Sequence, residues 1–164
     1  MFTRKQISRT TTALGLSFLL VAGALAAGNA SHSHEHGAAP ARLSLNQGHK
    51  WATDAALRHG MESIRSAMDA SLHDIHENKL TPAKYAELAK KVDGEVAGIV
   101  AHCKLEPAAD AQLHLVIAEI LNGVETMQGK SKKAKRQAGA VQVVAALEQY
   151  GKFFEHAGWQ GIRH

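Results

Sequence analysis

From about Thr53 to the C-terminus, apolar residues recur at spacings of three and four, and nowhere do they alternate at the spacing of two that a strand needs. Four amphipathic helices follow from this pattern. The first opens at Thr53-Asp54, a cap-type residue and an acid suited to a helix start. It carries Leu57, Met61, Ile64, Met68, Leu72 and Ile75 on one face, and it stops between Asn78 and Leu80. Thr81 as N-cap and Pro82 at the first helical position start the second, whose inner face is Tyr85, Leu88, Val92, Val96, Ile99 and Cys103. Pro107 restarts the chain as a third helix lined by Leu113, Ile117, Ile120, Val124 and Met127 and closed by Gly129. The fourth is expected from near Ser131, with Ala140, Val143, Leu147, Tyr150 and Phe154 inside and Gly158 at its end. Similar lengths and short connections predict an all-α fold, an antiparallel up-down-up-down four-helix bundle over residues 46–164.

Six glycines, at 60, 94, 98, 123, 139 and 151, interrupt these helices at interior positions, each at about 1 kcal/mol against alanine. Either neighbouring helices approach closely there or a flat group needs room between them. Close approach is the preferred reading.

The pattern ahead of the bundle differs. Arg4, Lys5 and Arg9 precede an apolar run from Ala13 to Ala27, and Ala24-Leu25-Ala26 and Gly28-Asn29-Ala30 offer small-residue cleavage patterns. This is the layout of a secretory signal peptide over residues 1–30, and it predicts export to the periplasm with no membrane attachment after cleavage. Gly15, Ser17 and Gly23 and the shortness of the run argue against a spanning anchor. Residues 31–45 are poor in apolar side chains and read as a flexible leader. Within it His32, His34 and His36 form a short tract of the metal-capturing kind.

Charge matters only through that signal. Residues 1–30 hold three basic side chains and no acidic ones, so removing them lowers the formal charge from +4 to +1. The apparent basicity leaves with the signal, and nucleic-acid binding loses its support. The remaining basic cluster, Lys130, Lys132, Lys133, Lys135 and Arg136, reads as a solvated inter-helix loop and first helical turn that an acidic partner could meet. A single cysteine, Cys103, excludes an intramolecular disulfide and leaves a homodimer open.

An up-down-up-down order brings the start of helix 1, the end of helix 2, the start of helix 3 and the end of helix 4 together. That end collects His49, Trp51, His59, Met61, His102, Cys103, His114, His156 and Trp159. At 1.5 Å per residue, Met61 and His114 lie about 10–12 Å from the end, with Cys103 and His156 within about one turn of it. Soft sulfur with imidazole suits copper, above all Cu(I). Met61, Cys103, His114 and His156 are therefore the expected metal ligands. The function expected is transition-metal handling with a periplasmic redox or metallochaperone partner. No Ser-His-Asp arrangement, Gly-rich phosphate cradle or paired Glu-x-x-His motif points to an enzyme.

Met61 within Gly-Met-Glu-Ser-Ile-Arg-Ser-Ala-Met, and His156 within Tyr-Gly-Lys-Phe-Phe-Glu-His, resemble the ligand-bearing segments of soluble four-helix-bundle b-type cytochromes. The resemblance implies non-covalent haem b, held axially by Met61 and His156, and electron transfer. A metal-free interaction module is the third expectation.

Overall fold

The computed structural model describes residues 42–162, and all the regular structure among them is helical. Helix α1 is Ala55–His76, α2 Pro82–His102, α3 Pro107–Met127 and α4 Arg136–Phe153. The pairs in contact are α1–α2, α2–α3, α3–α4 and α1–α4, which closes the ring of a four-helix bundle. Hydrogen bonds tie particular ends together. The Lys104 amide, just past α2, donates to Asp54 at the start of α1. The Trp51 amide donates to the Phe153 carbonyl at the end of α4, and Gln137 at the start of α4 donates to the Ile75 carbonyl near the end of α1. These are the contacts that α1 makes when it runs antiparallel to α2 and α4.

The helix starts follow local chemistry. The Asp54 carboxylate accepts from the Leu57 amide at 2.7 Å, and the Thr81 hydroxyl accepts from the Lys84 amide at 3.3 Å ahead of Pro82. Pro107 opens α3, where its missing amide costs nothing. Asn78, at φ +52°, turns the chain after α1, and Gly129, at φ +79°, does so after α3.

Helix α4 departs from expectation at both ends. It begins at Arg136, not near Ser131. A first turn built from Lys132, Lys133 and Lys135 would stack cations on the positive end of the helix dipole. Those lysines instead form a loop, and the Arg136 guanidinium reaches back to the last α3 carbonyl, at Met127. At the other end the helix stops at Phe153, short of Gly158. Phe154 becomes extended and pairs with Trp51, so that the Glu155 amide donates to the Trp51 carbonyl at 2.8 Å.

Every position assigned to an inner face is buried except Cys103, and no polar or charged residue is buried among those described. Met61, Ile64, Met68, Ile120, Val143 and Tyr150 are wholly inaccessible. Leu43 packs on this core and the Ser44 amide donates to Gln112, so packing begins within the stretch read as leader. The Tyr85 hydroxyl is buried and has no hydrogen-bond partner among the described residues. No described helix is long and apolar enough to cross a membrane.

The interior glycines divide into two groups. A Cβ on Gly123 would stand 2.7 Å from the Gly139 carbonyl oxygen, and one on Gly139 would stand 2.7 Å from the Met127 amide nitrogen, so α3 and α4 meet backbone to backbone. Gly60 faces the Ile99 side chain and Gly151 faces Trp159. Gly94 and Gly98 face open space.

Candidate functional site

The end of the bundle that holds the N-terminus of α1 carries two polar assemblies. The first is built on Asp54. As N-cap it accepts from the Leu57 amide, and its second oxygen accepts from the Lys104 amide at 2.6 Å and so clamps the end of α2 to the start of α1. The Cys103 thiol also donates to it. Burial pushes the Asp54 carboxyl up, but these bonds, aided by Arg58, outweigh it and hold the group below the usual carboxylate range. Cys103 moves the other way. Burial first, then the charges of Asp54 and Asp110, push its thiol up to about 11. At neutral pH it is a protonated donor, not a nucleophilic thiolate.

The second assembly is aromatic. Once Phe154 has left the helix, the chain folds back and places His156 Nδ1 2.9 Å from the buried Tyr150 hydroxyl. Tyr150 stacks on Phe154 with centroids 5.4 Å apart, and Trp159 meets its ring edge at 4.8 Å. Trp159 also lies 5.1 Å from the His156 ring, over the bare backbone of Gly151. Burial pushes the Tyr150 phenol well above its ordinary value. Burial also lowers the His156 pKa; Glu62 opposes this and Arg58 adds to it, so the imidazole is neutral at pH 7. Beside it Glu62 binds Arg65 at 2.6 Å, an ion pair that holds the Glu62 carboxyl below its ordinary range. A surface cavity of about 430 Å³ opens there, lined by Glu62, Arg65, His156 and Gln160.

Each ligand expected in the bundle occupies a place of its own. Met61 is wholly buried in the apolar core. Cys103 is half-buried as the C-cap of α2 and is bound to Asp54. His114 faces solvent, off the inner stripe, with Nδ1 2.9 Å from the Asp110 carbonyl of its own helix. His156 is bound to Tyr150. Among the described residues no three His, Cys, Asp or Glu side chains come close enough to hold a metal ion, so Cys103, His114 and His156 do not converge. Of the pair expected to hold haem, Met61 lies wholly buried in the core cluster and His156 Nδ1 bonds the Tyr150 hydroxyl. His49, His59 and His102 are exposed, and His102 bonds the Gly98 carbonyl. His32, His34 and His36 lie outside the described residues.

Asp54 and Tyr150 are the residues that sequence reasoning passed over. Asp54 was legible as a helix-start acid but not as the clamp on α2. Tyr150 was legible as core, while its bond to His156 depends on where α4 ends. No family model, curated protein or solved structure matches this chain, so its functional reading rests on its own residues.

Proposed function

We propose that this protein is an exported interaction module, a four-helix bundle that works through its surface and carries neither a resident metal nor haem inside the bundle. One observation carries the reading: each ligand candidate in the bundle already has a structural task. Met61 fills the core, Cys103 and Asp54 join α2 to α1, His114 serves its own helix, and His156 anchors the returning C-terminal segment on Tyr150. Copper handling through these four residues would require the Cys103 thiol to leave Asp54 and Met61 to leave the core, and would require His114 and His156, each bonded through Nδ1, to be brought together at Nε2. Each departure from a buried or half-buried bond costs about 1–3 kcal/mol. His32, His34 and His36 would capture metal independently of the bundle and weakly.

The test is to express the chain with its N-terminal segment, purify it without a histidine tag, and record an absorption spectrum, a metal analysis and melting curves with Cu(I) and with haemin. The expected protein is colourless, and neither ligand raises its melting temperature. A Soret band, or a rise of several degrees with Cu(I) that Cys103→Ala and Met61→Ala abolish together, would remove the reading and restore the corresponding cofactor.

A further inference from the structure

Away from the polar assemblies, near the opposite end of α1, the α1–α4 seam opens into a cavity of about 210 Å³. Its lining is Leu72, Ile75 and His76 from α1 and Ala140, Val141 and Val144 from α4. Apart from His76 these are all apolar, and Val141 is 55% exposed, second only to Val100 among the large apolar side chains described. The volume falls below the range of about 300–1,000 Å³ usual for small-molecule and cofactor pockets, and it suits a single large apolar side chain used as an anchor.

The surroundings set the sign of the partner. The loop before α4 carries Lys130, Lys132, Lys133 and Lys135, and Gln137 ties the start of α4 to the Ile75 carbonyl, which brings that loop to the groove's end of α1. Lys132, Lys133 and Lys135 are exposed and form no ion pair among the described residues; Lys130 reaches Glu125 only at 4.0 Å. Unpaired like charges on a loop repel one another, and a polyanionic partner relieves that repulsion.

The geometry points to the α1–α4 groove as the docking site for an extended segment of a partner protein, one large apolar side chain seated in the cavity and carboxylates flanking it on the lysine-loop side. The inference rests on the reading of the bundle as an interaction module and names the chemistry of its partner. A peptide is favoured over an anionic membrane because the apolar surface is concave. It receives a side chain, whereas membrane binding requires apolar side chains that project into the lipid.

The experiment uses the full exported chain and fluorescein-labelled peptides in which one phenylalanine is followed by four glutamates. Anisotropy should show saturable binding. An alanine in place of the phenylalanine, and Val141→Glu in the protein, should each weaken it at least tenfold. Joint replacement of Lys132, Lys133 and Lys135 by glutamine should weaken it several-fold and flatten its salt dependence. Val141 is exposed, so Val141→Glu should melt like the parent, and Val141→Ser serves as a second probe. Four results would overturn the groove: no binding, binding indifferent to the phenylalanine or to both Val141 variants, tighter binding to anionic phospholipid vesicles than to the peptide, or a dimer in sedimentation that Val141→Glu dissociates. A melting temperature raised by Cu(I) or haemin would instead remove the interaction-module reading, which keeps the two failures distinct.

Discussion

Replacing Gly139 by alanine adds one methyl group to a helix, a change that in isolation favours the folded state by about 1 kcal/mol. In this bundle the methyl has nowhere to go. It would overlap the Gly123 carbonyl oxygen and lie 2.7 Å from the Met127 amide nitrogen and 2.8 Å from Thr126 Cβ. Two of the three are backbone atoms, which no rotamer change can move aside, so α3 and α4 must separate along their closest line of contact. Overpacking of this kind costs about 1–3 kcal/mol, and obstruction by backbone argues for the upper end. Set against the gain in helix propensity, the net loss is about 2 kcal/mol. At about 3–5 °C per kcal/mol for a domain of this size, the melting temperature should fall by roughly 6–10 °C. The measurement is thermal and urea unfolding followed by circular dichroism at 222 nm. Gly94→Ala is the internal control, because a Cβ there meets nothing within 4 Å, and it should stabilise by up to about 1 kcal/mol. Gly60→Ala should fall between the two, since it presses on the movable Ile99 side chain. A Gly139→Ala protein that melts at or above the parent, or a Gly94→Ala protein as damaged as Gly139→Ala, would refute the account of the α3–α4 seam.

Three further outcomes follow from the site. Asp54→Ala removes an N-cap and the clamp on Lys104, and should cost about 1–2 kcal/mol; it also removes a charge that raises the Cys103 pKa, so iodoacetamide should alkylate Cys103 faster at pH 8 than in the parent. Tyr85→Phe deletes a buried hydroxyl that has no partner and should leave stability unchanged or raise it by up to about 1 kcal/mol, as a urea midpoint will show. His156 has a folded-state pKa below its unfolded value, so the unfolded chain takes up the proton first on acidification. Its contribution is complete above the ordinary histidine pKa of 6.5 and is lost as pH falls from there through the lowered folded value. The stability-against-pH curve should therefore slope downward below about pH 6.5, and His156→Gln should flatten that limb. The Asp54 contribution is lost only at lower pH, below the ordinary 3.8, so the two limbs separate.

Much of the bundle was legible from residue order alone. The stripes from Leu57 to Ile75 and from Leu113 to Met127 repeat with the helical period, and Thr81-Pro82 and Pro107 mark helix starts through preferences confined to a few neighbouring residues. Such signals are local, so they survive without knowledge of what lies across the core. The ends of α4 were not legible, because they depend on distant groups: the Met127 carbonyl that takes the Arg136 guanidinium, and the Trp51 backbone that pairs with the chain around Phe154. The six glycines look alike in sequence. Gly139 meets another helix's backbone while Gly94 meets solvent, a distinction set by which faces pack together.

The candidate ligands divide in the same way. Gathering histidine, cysteine and methionine toward one end requires only helix order and length, whereas ligation requires side chains that converge on one point. Cys103 continues the apolar stripe of α2 by count, yet its helix ends there and its thiol turns to Asp54. His114 lies one residue from the inner face, which is about 100° of rotation and enough to put it in water. His156 reaches Tyr150 only because the chain leaves the helix two residues earlier. Periodicity places a residue on a face and at a height. Which atoms meet is set by rotations and chain reversals that hydrogen bonds between remote segments impose.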